Sequence, residues 1–450
     1  MSVAERARGL LRDEMLRRLL GGGAVALVIK VSAAGLSFLM FLLLARAMTP
    51  EDFGVFGFGF SLAVTLSVVG SFGRRILVLR YIPAYASDGD EARLTGVVRE
   101  SYALVTAGCA TLGLLVAAAA ALLPGVENRA ALAAAGLLVL AVGLAELQAS
   151  VMRAVAGIGL ALAPRDIVWR LSVGLICLVL GAASIGPLSA ATWQLVVAAV
   201  LLAIVLAQGL MHPRTRPQAL LLDRARRERS EWRRVSLGLW GSSVVTALGT
   251  GAGVLVVGTT LSSVETGAFF AALRLAMLLD LLVVAAHMIA APLVSRLWHQ
   301  GERARVQRVY ALVAAAATPA AALFLSAYAL FGDDVLALFA PEYTSAWPVL
   351  LLLALGYFAK AAAGPAPLLL QFGGHERSHM WSVTATPLAT LGLLLVLTPL
   401  FGAIGAGLAT AVGMIATAAA TARVAYMRSS VDPTIGVFVR RLSRGAAQAR

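Results

Sequence analysis

Only two lysines stand among the 37 basic residues of this 450-residue chain, and both, Lys30 and Lys360, lie inside long apolar runs. A cation in such a place costs about 2.5–3.5 kcal/mol on insertion scales, so it must face a partner or a water-filled cavity. A further apolar run carries Arg274, Asp280 and His287. Asp280 and His287 are seven residues apart, about 20° short of two helical turns, and so share a face; Arg274 lies about 120° off it. A buried Asp and His can exchange protons as a coupling pair, or can pair with Lys360 or Lys30 as structural glue.

One string matches a catalytic pattern. His375-Glu376-Arg377-Ser378-His379 is H-E-x-x-H, in which two histidines share a helix face, bind zinc and hold a glutamate as general base. An intramembrane zinc metalloprotease is its enzyme reading. Against it, Gly373-Gly374 precede it directly, Arg377 sets a cation beside the metal, and Asp432 is the sole acid after Glu376. No G-x-x-x-x-G-K-[ST] phosphate loop is present, and no metal, cofactor or enzymatic activity is expected. Cys109 and Cys177 are single residues within apolar runs, where packing is their expected role.

The elements that hold these side chains follow from composition: 60% hydrophobic, 13% charged, with a mean hydropathy of +0.87. Apolar stretches of about 20 residues recur end to end, twice what a barrel strand needs, which predicts an all-α polytopic membrane protein. Twelve spans are expected, at 24–45, 55–73, 102–123, 131–152, 164–182, 190–211, 237–260, 267–294, 309–331, 346–370, 380–399 and 403–426. Most basic residues fall on one side, and the opposite loops carry Glu51, Asp52, Glu127, Glu265, Asp333, Asp334 and Glu342. The positive-inside rule then makes both termini cytoplasmic. The formal net charge of +14 reads as topology and attraction to anionic lipid, with no nucleic acid as partner.

Lys30 lies about 9 Å along its span from the cytoplasmic end, within reach of a snorkelling stem. Lys360 is too deep for that. Just after it, Gly364-Pro365-Ala366-Pro367 removes two backbone donors and should kink the helix, as helices that line cavities often are. Asp166 and Arg170 read as an i,i+4 pair at the start of the fifth span.

Residues 1–23 read as a cytoplasmic interfacial helix that Gly21-Gly22-Gly23 break. Residues 24–211 and 237–427 form two lobes of six spans, joined by a basic linker at 212–236 and followed by a basic tail at 428–450. Thr49-Pro50-Glu51-Asp52-Phe53-Gly54-Val55-Phe56 recurs 213 residues later as Ser262-Ser263-Val264-Glu265-Thr266-Gly267-Ala268-Phe269. Each copy is a capping box opening a helix at the outer face. With six spans between them the lobes should be parallel repeats about an axis along the membrane normal.

Ala45-Arg46-Ala47-Met48-Thr49-Pro50-Glu51-Asp52-Phe53-Gly54 resembles the AR-x-L-x-P-E-D-F-G signature of bacterial polysaccharide flippases, the Wzx-type branch of the multidrug/oligosaccharidyl-lipid/polysaccharide (MOP) exporter superfamily. Further likeness runs through Glu265–Arg274, Phe331–Tyr343 and Pro399–Ala406, so that the resemblance covers nearly the whole chain. It implies two six-helix lobes around a central cavity, moving a polyprenyl-diphosphate-linked oligosaccharide from the cytoplasmic to the outer leaflet of the bacterial inner membrane by alternating access, for polysaccharide biosynthesis. A cationic lumen receives the diphosphate in such proteins, and Lys360, Lys30 and Arg274 are the candidates here by type and depth. Asp280 and His287 are the candidate counter-charge and coupling pair. Coupling to protons, sodium ions or the membrane potential is open; potential alone supplies about 2.3 kcal/mol per charge per 100 mV. Expected partners are membrane lipids and the polymerase and glycosyltransferases of polysaccharide assembly. The rival reading is a multidrug or other small-molecule cation antiporter of the same superfamily, whose cavity would favour acids.

Overall fold

The computed structural model describes residues 14–436 except 126, 217, 219–224, 227 and 373–375, and its described residues contain helices and no strand. The first half holds α1 (Glu14–Arg46), α2 (Pro50–Gly70), α3 (Arg74–Ser87), α4 (Glu91–Leu122), α5 (Arg129–Val155), α6 (Ile158–Ala163), α7 (Trp169–Ala182) and α8 (Ala190–Met211). The second half holds α9 (Arg229–Thr260), α10 (Ser263–Ala276), α11 (Asp280–His299), α12 (Arg303–Ala337), α13 (Trp347–Ala363), α14 (Ala366–Phe372) and α15 (Glu376–Ser429). Ten helical segments among the described residues are long and apolar enough to cross a membrane. Two more bring the total to twelve. The fifth span is cut into α6 and α7 by a π turn at Pro164–Val168, and α15 is two spans meeting at Gly402, whose φ of 60° lies outside helical space. Glycine takes that conformation without steric cost, so the expected division between 399 and 403 falls where the chain can make it.

Two segments differ from the sequence expectation. α1 runs unbroken through Gly21-Gly22-Gly23, where a break was expected; the helix continues despite a cost of about 1 kcal/mol per glycine. Residues 1–13 of the expected interfacial helix lie outside the described residues. The polar stretch 74–100 is helical rather than a loop, supplying α3 and the start of α4. Leu77, Val78, Tyr81, Ile82 and Tyr85 are all buried, an i, i+1, i+4, i+5, i+8 stripe that seats α3 on its neighbours.

The repeated motif caps both helices and also brings them together. Ser262 and Glu265 close a full capping box, the hydroxyl accepting from the Glu265 amide at 3.3 Å and the carboxylate from the Ser262 amide at 3.1 Å. Thr49 caps α2 by accepting from the Asp52 amide at 3.1 Å. The shorter Asp52 carboxylate instead accepts from the Ala190 amide at 3.0 Å, tying down the start of α8. Gly54 and Gly267, equivalent under the 213-residue offset, face each other: a Cβ on Gly54 would stand 1.7 Å from the Ser263 carbonyl oxygen, and one on Gly267 would stand 3.1 Å from the Gly54 nitrogen. Only glycine permits so close a crossing of two helices.

Around this crossing the acid-rich end of the bundle is sealed by aromatic rings from both halves. Phe270 lies 5.3 Å from Phe41 and 5.6 Å from Phe53, centroid to centroid, and Phe53 lies 6.2 Å from Phe339. Tyr343 donates to the Pro50 carbonyl at 2.7 Å, and Arg46 Nε donates to the Leu338 carbonyl at 2.6 Å. Edge-to-face ring pairs contribute about 0.5–1.5 kcal/mol each beyond burial, so the two lobes hold firmly together here.

Candidate functional site

Lys360 stands three residues before the end of α13, and its Nζ lies 2.6 Å from Asp280 Oδ1. Each of the two side chains keeps about a third of its surface exposed, and the ammonium also sits 4.9 Å from the Tyr357 ring centroid. Asp280 is the first residue of α11. The eighth span is not the continuous helix that its sequence suggests: α10 stops at Ala276, and the amides of Leu278, Leu279 and Asp280 reach back only three residues, to the carbonyls of Leu275, Ala276 and Met277. Such a tight stretch inside a span is typical of a hinge. It also places Asp280 at the start of α11, where the amides of Leu281 and Leu282 likewise bond back to Leu278 and Leu279.

The break after Lys360 is equally well supported. Gly364 has φ 67°, and a Cβ there would meet the Pro433 carbonyl oxygen at 2.2 Å. Pro365 and Pro367 carry no N–H, so carbonyls of the α13 end need other donors. The Ile435 amide supplies one to Ala362 at 3.0 Å, and Tyr310 OH supplies one to Pro365 at 3.2 Å. The chain beyond α15 is thereby part of the architecture that holds Lys360.

Beside the Lys360–Asp280 pair opens a cavity of about 440 Å³ whose wall includes Lys360, His287 and the threonines Thr246, Thr250, Thr390 and Thr417. His287 Nδ1 lies 2.8 Å from the Val283 carbonyl. Since a carbonyl only accepts, Nδ1 carries the proton and Nε2 is left as an acceptor. Among the described residues no hydrogen bond joins His287 to Asp280. The four threonine hydroxyls donate to carbonyls four residues back on their own helices. Their remaining lone pairs are acceptors within a wall that is otherwise mostly apolar, and Thr417 also meets the Thr386 hydroxyl at 2.7 Å.

Lys30 belongs to a separate cluster in the first lobe. Its Nζ lies 2.7 Å from Asp166 Oδ2, so the stem finds a carboxylate instead of reaching for the end of the span. Asp166 sits in the π turn, with only 6% of its side chain exposed. The expected i,i+4 pair of Asp166 and Arg170 is present at 3.9 Å, and Arg170 also donates from Nη1 to the Asp166 main-chain carbonyl and from Nε to Ser37 at 2.5 Å. The π turn shifts the register of the helix and turns the carboxylate toward α1. Arg165 binds Asp166 at 3.2 Å and Glu146 at 2.5 Å, and Arg75 binds Glu146 at 3.2 Å. Four cations thus surround two carboxylates, two positive charges in excess. Sequence reasoning did not join Arg165, Arg75 and Glu146 to Lys30; an acid at residue 146 inside an apolar span was the available signal.

Arg274 ends α10 next to the aromatic seal. Its guanidinium carbon lies 4.4 Å from the Phe270 centroid, 4.6 Å from Phe41 and 5.5 Å from Phe60, and Nη1 approaches Met277 Sδ at 3.7 Å. Among the described residues it forms no ion pair, and its buried Nε has no acceptor. The structure therefore separates the candidates: Lys30 is paired in the first lobe, Lys360 is paired in the second, and Arg274 is held by rings and the Met277 sulfur, with no ion pair among the described residues. Of the H-E-x-x-H string, His375 lies outside the described residues, as do the side chains of residues 376–379. Among the described residues no group of histidine, cysteine and acids could hold a metal ion.

The profile of the family described as "Polysaccharide biosynthesis protein" matches residues 19–298, more than half of the chain. The chain belongs to the polysaccharide biosynthesis protein family. No curated protein matches it. The fold of this family member is similar to an inward-facing multidrug resistance MATE family transporter of the MOP superfamily, at 15% identity and a TM-score of 0.68, over 91% of this chain and 98% of that one. An outward-facing structure of a multidrug resistance MATE family transporter gives 14% identity and 0.56, over 91% and 95%. A MOP superfamily transporter from Pyrococcus furiosus, described as having a binding pocket of reverse polarity, gives 14% and 0.52, over 94% and 97%. At these identities the likeness concerns fold alone, and it is the two-lobe architecture of twelve spans. The family match covers Lys30, Arg274 and Asp280 and stops short of Lys360.

Proposed function

We propose that this family member moves a polyprenyl-diphosphate-linked oligosaccharide from the cytoplasmic to the outer leaflet of the inner membrane by alternating access. The observation that carries the reading is the excess of cations at membrane depth: Arg274 without a carboxylate, and four cations around Glu146 and Asp166. A diphosphate supplies the counter-charge that these side chains lack, and the threonine-lined cavity beside Lys360 supplies acceptors for sugar hydroxyls. The lipid tail can stay in hydrocarbon while the polar group crosses between the lobes. A drug-cation antiporter fits less well, because Asp280, Asp166 and Glu146 are each already bound to a cation.

With the basic face as the cytoplasmic side, the ring seal around Gly54 and Gly267 closes the outer end. The higher TM-score against the inward-facing relative supports the same state. The turn at Met277–Leu279 is the hinge on which Asp280 and α11 move relative to Arg274. The test is translocation of a labelled lipid-linked sugar in vesicles by the wild type, Lys360→Ala and Lys360→Arg. Transport lost in Lys360→Ala and kept in Lys360→Arg is expected; equal transport by all three overturns the charge role of Lys360.

A further inference from the structure

A second cationic cavity lies away from the Lys360 site, at the basic end of the bundle where α3 and α4 of the first lobe meet the start of α9. Its volume is about 720 Å³, and Arg74, Arg99 and Arg233 line it together with Phe72, Leu104 and Leu237. Arg74 is 3% exposed. One arm of its guanidinium meets Glu100 at 2.9 Å, while the buried Nε and Nη1 have no acceptor. Burial lowers the Arg74 pKa from its ordinary value, and Glu100 raises it in part. Arg99 and Arg233 form no ion pair among the described residues. A buried donor left without an acceptor costs about 1–3 kcal/mol, more for a charged group, so this arrangement is poised for an acceptor the chain does not itself provide.

The turn that presents Arg74 is fixed to α9. Gly73 has φ 73°, and a Cβ on it would meet the Ser236 carbonyl oxygen at 2.4 Å. Ser236 Oγ donates to the Phe72 carbonyl, and Trp240 Nε1 donates to the Val69 carbonyl at 2.8 Å. The cationic wall is therefore built from both lobes and held in place by main-chain contacts. Its remaining wall is apolar, and Phe72 and Leu237 leave 36% and 50% of their surface uncovered. Cations at one end and bare hydrocarbon surface at the other match an amphiphile, and a volume of this size lies within the range of small-molecule sites.

We propose that this cavity binds the headgroup of an anionic phospholipid, with the phosphate on Arg74, Arg99 and Arg233 and an acyl chain along Phe72, Leu104 and Leu237. The site shares no lining residue with the cavity beside Lys360. A lipid seated there touches both lobes at the basic end.

The test is native mass spectrometry of the full chain, released from detergent micelles containing equal phosphatidylglycerol and phosphatidylcholine. The wild type is expected to retain one phosphatidylglycerol in preference to phosphatidylcholine. Arg99→Gln with Arg233→Gln should weaken that retention about thirtyfold, the loss of two arginine attractions at a lipid surface. Leu104→Trp, which keeps every charge and fills the cavity, should lower retention as well. Arg303→Gln with Arg305→Gln, removing the same charge elsewhere on the basic face, should leave it unchanged. Equal retention by the wild type and the Arg99/Arg233 double variant overturns the proposal, as does an equal loss in the Arg303/Arg305 double variant. Displacement of the lipid by millimolar inorganic phosphate would assign the cavity to a free phosphate and refute the lipid.

Discussion

Removing the ammonium of Lys360 while leaving Asp280 strands a carboxylate at membrane depth. Breaking a buried pair costs about 3–5 kcal/mol and an exposed one about 0–1 kcal/mol. Both side chains here keep about a third of their surface exposed, which places Lys360→Met at about 2 kcal/mol. The lost contact with the Tyr357 ring, 4.9 Å away, adds about 0.5–1 kcal/mol. Asp280→Leu should cost a similar amount from the other side. The double variant removes both charges and should recover most of the loss, giving a coupling energy of about 1–2 kcal/mol. Thermal unfolding midpoints of the four proteins in one detergent measure this cycle. Strict additivity, with the double variant as unstable as the sum of the single ones, would refute the pairing and with it the view of Asp280 as the partner that holds Lys360 in the membrane.

Other outcomes follow from particular contacts. Gly54→Ala places a methyl 1.7 Å from the Ser263 carbonyl oxygen; the backbones must part, at a cost of at least about 2 kcal/mol, and spin labels across the acid-rich end should report a wider distance than in the wild type. Lys30→Met should be milder than Lys360→Met, about 1 kcal/mol, because Asp166 keeps Arg165 at 3.2 Å; equal destabilisation by the two variants in thermal unfolding would contradict this ordering. Tyr81 donates to Glu231 at 2.7 Å, and burial together with that carboxylate pushes its pKa from 10 up to about 12. The phenol is an acid with a raised pKa in the folded state. Its contribution is therefore full below pH 10 and is lost as pH climbs through about 12. Hydrogen exchange at the α3–α9 junction should rise across that window in the wild type, and Tyr81→Phe should flatten the step.

The sequence made visible those features that residue chemistry encodes locally. Gly364 and Pro365 announce the end of α13 because one tolerates a positive φ and the other lacks a donor. Gly402 divides the last two spans for the first of those reasons. The twin capping motifs identified the start of α2 and of α10, and their glycines turned out to be where the lobes touch. The turn at Met277–Leu279 was hidden, since methionine and leucine are good helix formers and nothing local marks a break. Its cause lies in packing between helices. The pairing of Asp166 with Arg170 was legible from their i,i+4 spacing, whereas the closer contact of the carboxylate with Lys30 depends on how α1 packs against the π turn at Pro164–Val168. Arg274 was visible as a charge at depth, but its seat on Phe41, Phe60 and Phe270 depends on rings brought together from residues 41 to 274.

The account's central claim is that cations at membrane depth serve an anionic headgroup. Its most direct measurement compares, in the same vesicles, outward movement of one labelled sugar carried on a polyprenyl diphosphate and on an uncharged lipid of equal length. The account predicts that the protein moves the diphosphate form at least about tenfold faster, a difference of about 1.4 kcal/mol in the barrier. Arg274→Gln should erase most of that preference. Equal rates for the two lipids in the wild type would contradict the claim.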